Sequence, residues 1–178
     1  MASIITATTS SGLTQSADNS GVLQLASGTG NLVTVPSVTG TAMVSGNMPA
    51  FYAYLNGSQT VSGGAATKVT LDTELFDTNN NFASSRFTPT VAGYYQLNAA
   101  VFLASSAQEI LAYIYKNGSN YSGGLDITTG SYNSNVSTIA YANGTTDYFE
   151  VYVYTSVTRG VSNASTNTFF NGVLARAA

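Results

Sequence analysis

The sequence predicts an all-β fold, an antiparallel sandwich preceded by an extended arm, and three observations carry that prediction. Apolar and polar residues alternate with a period of two from Pro49 onward, turn residues recur at the short spacing of sandwich strands, and helical patterns are missing. At 178 residues the chain holds one sandwich and a short extra segment, because about 100 to 150 residues already bury a self-sufficient core.

Taken in order, Met1–Met48 contains one charged residue, Asp18, and no aromatic residue, whereas every Phe and Tyr lies beyond Pro49. A segment with so little large apolar surface is a poor candidate for a core of its own and reads as an arm, residues 1–48. Within it, Gly21–Ala26 and Asn31–Val35 are β-prone runs separated by Ser27-Gly28-Thr29-Gly30, which suits a hairpin or two extended strands. Val22, Leu23, Leu25, Leu32, Val33 and Val35 are the apolar side chains such an arm offers to a host surface by strand addition.

The sandwich, residues 49–178, opens with Phe51, Ala53 and Leu55 facing one way and Tyr52 and Tyr54 the other, before an Asn56-Gly57 turn. Lys68–Leu75 and Asn81–Thr88 read as the next strands, split by the turn Asp77–Asn81; Pro89 then separates strands, and Gly93–Ala104 follows. Glu109–Tyr115 ends at Lys116-Asn117-Gly118-Ser119, Ser134–Tyr141 ends at Asn143-Gly144, and Thr168–Ala175 closes the fold. The Asn-Gly-Ser/Thr triplets at Asn56, Asn117 and Asn143 match a glycosylation acceptor pattern but are read as turns.

Asp147–Thr155 is the clearest strand. It puts Phe149, Val151 and Val153 on the core side and Tyr148, Glu150, Tyr152 and Tyr154 on the other. Tyr113 and Tyr115 repeat the arrangement against Ile110, Ala112 and Ile114. These tyrosine rows, with Glu150, are either solvated or a contact between subunits, since Tyr buries a large ring while its hydroxyl stays hydrogen-bonded. Glu150 and Glu109 are then candidates to pair with Lys116, Arg159 or Arg86 across the contact.

Composition narrows the function. The chain has no Cys and no His, which removes disulfides, thiolate and imidazole metal sites, and the Ser-His and Cys-His nucleophilic systems. With a net charge of -3 and five basic residues it lacks the cationic stripe that nucleic acid requires. No stretch approaches the ~20 apolar residues of a membrane helix, and Met1–Gln15, without a basic residue, does not read as a secretory signal. Only 7% of residues are charged against 44% hydrophobic, so solubility rests on Ser, Thr, Asn and Gly, and partners are expected to cover much of the surface.

The best candidates for chemistry are Asp72 and Glu74, two apart on one strand face, with Asp77 in the adjoining turn. A catalytic carboxylate pair needs a lined cleft that nothing nearby supplies. A Ca²⁺ site from these oxygens is the weak metal candidate, and a solvated edge that discourages strand pairing is the plainer reading. The expectation is a protein that is not an enzyme.

Two segments, FTPTVAGYYQL at Phe87–Leu97 and FFNGVLAR at Phe169–Arg176, resemble the C1q/TNF-like jelly roll. The matching positions are Phe87, Gly93, Tyr94, Tyr95, Phe169, Gly172 and Leu174, and the resemblance covers approximately Pro49–Arg176. It implies a jelly-roll sandwich assembled as a compact homotrimer. The animal members of that family usually carry a collagen stalk where this chain carries a Ser/Thr/Gly arm. The run ASIITATTSSGLTQSADNSGVLQLASGTGNLVTVP instead resembles the N-terminal attachment segments of bacteriophage virion proteins.

Together these imply a structural protein of the virion, assembled in the bacterial host cytoplasm: a homotrimeric capsid decoration or cement protein docking through its arm on the major capsid protein or other virion subunits. The alternative is a receptor-binding knob of a short tail fibre or spike, recognising a host glycan through loops such as Tyr115–Tyr121 and Asp126–Asn135.

Overall fold

A computed structural model describes residues 48–124 and 127–178, less the side chains of 108, 127–129 and 131, together with the backbone of 23–26 and 32–35. The chain divides into two units, residues 1–40 and 41–178. In the first, β1 (Leu23–Ala26) pairs antiparallel with β2 (Leu32–Val35), setting Leu23 opposite Val35 and Leu25 opposite Val33. Val22 lies outside the described residues, and so do the side chains of Leu23, Leu25, Leu32, Val33 and Val35.

The second unit contains β3 (Ala50–Tyr54), β4 (Gln59–Val61), β5 (Thr67–Lys68), β6 (Thr73–Asp77), β7 (Phe82–Ala83) and β8 (Arg86–Phe87). It continues with β9 (Gly93–Lys116), β10 (Ser119–Gly123), β11 (Ile127–Ala142), β12 (Phe149–Thr155), β13 (Arg159–Val161) and β14 (Phe169–Ala177). None of the described residues is helical. All of the strand pairs are antiparallel.

The long strand β9 organises the sandwich. Its first half lies between β14 and β11, and β14 leads on through β3 to β6, giving one layer in the order β6-β3-β14-β9-β11. Its second half lies between β12 and β10, and β12 leads on through β8 to β7, with β5 also on β12, giving the other layer. The expected break between Gly93–Ala104 and Glu109–Tyr115 is therefore corrected to one continuous strand. What changes there is phase. Tyr95, Leu97, Ala99, Val101, Leu103 and Ala107 are buried at odd positions, then Ile110, Ala112 and Ile114 at even ones, because the strand leaves one layer for the other and β11 shifts register beside it.

Two further expected strands are divided. Lys68–Leu75 splits into β5, which pairs with β12, and β6, which pairs with β3, so the segment crosses between layers. Asn81–Thr88 folds back on itself as the β7–β8 hairpin, with Ser84 and Ser85 at φ 52° and 57°. Serine is an uncommon choice for that left-handed turn, which is why no turn was legible there. At Asn117-Gly118, by contrast, φ values of 52° and 78° bear out the tight β9–β10 turn that the dipeptide predicts.

The core is aromatic where the layers meet. Phe51 of β3 stacks on Phe87 of β8 at 4.1 Å, lies 5.5 Å from Phe82 of β7, and meets Phe170 of β14 edge-on at 5.0 Å. Tyr95 joins the cluster against Phe87 and donates its hydroxyl to the Val91 carbonyl at 2.7 Å; burial raises that phenol to a pKa of about 12. Gly172 is fixed by the same packing, because a Cβ there would stand 2.5 Å from Leu97 Cδ2 and 2.9 Å from Phe51 Cε1.

Candidate functional site

The tyrosine face forms where β12 pairs with the second half of β9, which sets Tyr152 opposite Tyr113 and Glu150 opposite Tyr115. Tyr115 and Tyr152 stack at 4.0 Å, and Tyr113 stands edge-on to Tyr115 at 6.2 Å. Tyr113, Tyr115, Tyr148, Tyr152 and Tyr154 are all half-buried, whereas Glu150 is buried, its side chain 4% exposed. Lys68 Nζ reaches its Oε1 at 2.8 Å and Arg86 Nε at 2.9 Å, both from the same chain.

This corrects the expected pairing across an interface. Lys116 pairs with Asp147 at 2.9 Å, while Arg159 donates to the carbonyls of Ser106 and Thr158; Glu109 takes part in none of these pairs. Burial opposes ionisation of Glu150, but the hydrogen bonds and charges of Lys68 and Arg86 outweigh it and hold the carboxyl below its ordinary range. The Arg86 guanidinium also lies 3.9 Å over the Tyr148 ring. Tyr152 is pushed up, first by burial and then by the Glu150 charge.

Asp72, Glu74 and Asp77 are not brought together. Asp72 precedes β6 and accepts the backbone N–H groups of Asn56 at 2.7 Å and Gly57 at 2.8 Å, closing the turn after β3. Burial works against its ionisation, and these bonds prevail and lower its pKa. Asp77 accepts from Asn79 and Phe82 in the next turn, and Glu74 is exposed opposite Ala53. Among the described residues no group of three or more carboxylates could hold a metal ion. The proposed glycan loops resolve into the β9–β10 hairpin and the start of β11, with residues 125–126 outside the described set.

The opposite layer carries a surface that sequence reasoning missed. Tyr52 and Tyr54 of β3, Phe169, Asn171 and Val173 of β14, Tyr94, Gln96 and Asn98 of β9, and Ser137, Ile139 and Tyr141 of β11 alternate with buried neighbours. Register aligns them in rows, Tyr52-Asn171-Asn98-Ser137 next to Val173-Gln96-Ile139. No Asp, Glu, Lys or Arg stands in these two rows; at the margin the exposed Arg176 is the register partner of Tyr94, and Lys116 Nζ lies 5.8 Å from the Tyr141 ring. Ile139 is 57% exposed, Tyr94 45%, and Tyr141 and Val173 42% each. The polar members satisfy one another: Asn98 Nδ2 donates to Asn171 Oδ1 at 3.0 Å, Ser137 Oγ to Asn98 Oδ1 at 2.8 Å, and Gln96 Nε2 to Ser137 Oγ at 2.9 Å. The available signal was the lack of charge on the outward positions of β3, of β11, of β14 as far as Val173 and of β9 from Tyr94 to Asn98.

No protein-family model matches the sequence, and no curated protein is similar enough in sequence to count as a relative. Solved structures do match. The globular domain of zebrafish complement 1qA superposes with a TM-score of 0.56 at 18% identity, covering 73% of this chain and 99% of that one. Murine APRIL gives 0.58 at 10% identity, covering 71% and 98%. The PRD1 phage vertex protein P5 gives 0.52 at 11% identity, covering 92% and 86%. The fold is accordingly an all-β, C1q/TNF-like jelly roll.

Proposed function

We propose that the protein is a non-enzymatic structural subunit of a bacteriophage virion, a homotrimer that decorates the capsid and is fastened to the major capsid protein through residues 1–48. The observation that carries this reading is the outer face of β3-β14-β9-β11, whose central rows carry no charge, with Arg176 beside Tyr94 at its margin. Interface cores are depleted in charge and enriched in aromatic residues, and an exposed apolar patch of this kind marks an association surface. Packing a second copy on the central rows strips water from Ile139 and Val173 without stranding an ion, and the amides of Asn98 and Asn171 enter already paired. The assignment moves the subunit contact away from Tyr113, Tyr115, Tyr148, Glu150, Tyr152 and Tyr154. A threefold arrangement is what the C1q/TNF-like resemblance implies.

The likeness to a phage vertex protein supports a place on the capsid, and it extends over more of this chain than residues 41–178 contain. Three arms on one trimer raise the effective concentration of each attachment, so weak individual contacts add up to lasting cement. The test compares the full chain with residues 49–178 by mass in solution and by cosedimentation with capsids. Trimers in both cases, with capsid binding confined to the full chain, are expected. Monomers of the full chain, or undiminished binding by the truncated one, rule the reading out.

A further inference from the structure

The tyrosine face differs from the β3-β14-β9-β11 face, whose central rows are uncharged, in having ions at its centre. Lys68 and Arg86 both bind the buried Glu150 carboxylate, so two cations stand against one anion in a chain whose net charge is -3. The Arg86 side chain is 43% exposed and enters the pair through Nε, which leaves its Nη donors out of that contact. Its plane is held by the Tyr148 ring, 3.9 Å away. Beside it the Tyr115–Tyr152 stack is locked in place, so a partner orders few side chains on binding. A second copy of the chain is a poor occupant, because it would have to desolvate the ion triad.

We propose that this face binds a carboxylate-bearing saccharide. Its carboxylate pairs with the Arg86 guanidinium, whose planar fork matches carboxylate geometry. Its ring lies against the tyrosines, and its hydroxyls exchange hydrogen bonds with the phenols of Tyr115 and Tyr152. The Tyr152 phenol is protonated, and therefore a donor, at neutral pH, as any phenol is; burial and the Glu150 charge shift it further in that direction. The site goes beyond the structural role and does not depend on the oligomeric state.

Calorimetric titration of the full chain with sialyllactose and with a galacturonic acid oligomer, against lactose as the neutral control, tests it. Saturable binding of at least one acidic sugar is expected, with lactose about tenfold weaker or more. Arg86→Gln should weaken acidic-sugar binding about tenfold. Tyr152→Phe, which keeps the stacked ring and removes only a hydroxyl, should weaken it a few-fold while the melting temperature stays put. Equal affinity for lactose, absence of binding by both acidic sugars, or acidic-sugar binding untouched by both substitutions would overturn the proposal.

Discussion

Glu150 sits buried on the outer side of its sheet because two neighbours bring their charge to it. Lys68 and Arg86 are themselves 29% and 43% exposed in their side chains, so solvent screens part of the attraction and the pairing is worth less than a fully enclosed one. Glu150→Gln is expected to cost about 1–2 kcal/mol at neutral pH. The carboxyl is depressed in the folded state, so its stabilisation is complete above its unfolded value near 4.5 and fades as pH falls through the lower folded value. Asp147 behaves alike, held down by hydrogen bonds from Asn117 and Lys116. Urea unfolding of the parent and Glu150→Gln proteins at pH 7 and near pH 3 should therefore show a gap that narrows in acid; a gap of constant size would contradict the role given to the pair.

At the scale of single elements, β9 exposes the arithmetic of a strand that serves two layers. Its buried positions change from odd to even between Ala107 and Ile110, and a period of two tolerates no unplanned shift. Deleting Ser105 would turn either Tyr95, Leu97 and Val101 or Ile110, Ala112 and Ile114 toward solvent. The expected outcome is loss of the near-ultraviolet circular dichroism of the packed tyrosines. A deletion variant with an unchanged spectrum and melting temperature would mean that the strand does not transmit its phase across the bend. The β7–β8 hairpin is smaller but consequential: by turning at Ser84–Ser85 it sets Phe87 beside Phe149 and Arg86 within reach of Glu150.

Across the whole molecule, the two outer faces divide the work. One has an uncharged centre, with apolar side chains up to 57% exposed; the other centres on an ion triad. Because self-association is assigned to the first, placing a charge there should disrupt it. Ile139→Lys combined with Val173→Lys is expected to convert trimers to folded monomers, lowering the mass about threefold with little change in secondary structure. The matched pair Tyr113→Lys and Tyr154→Lys on the opposite face should leave the trimer intact. Sedimentation of the two double variants decides the matter, and monomers from the second pair alone would return the contact to the tyrosine face.

Alternation alone made much of the fold legible. The core sides of Phe51–Leu55, Ile110–Ile114 and Phe149–Val153, the Asn117-Gly118 turn and the closing strand could all be read from local periodicity and local turn chemistry, because a side chain's face follows from its position along its own strand. Composition also distinguishes an aromatic-free stretch, residues 1–48, from an aromatic remainder. Only the tertiary structure decided that one strand spans both layers, that Ser84–Ser85 is a turn, that Glu150 meets Lys68 and Arg86, and that Asp72 and Asp77 close turns and do not form a cluster. It also decided which outer face has an uncharged centre. Each of these depends on which distant strands become neighbours, and periodicity within a strand carries no record of the strand beside it.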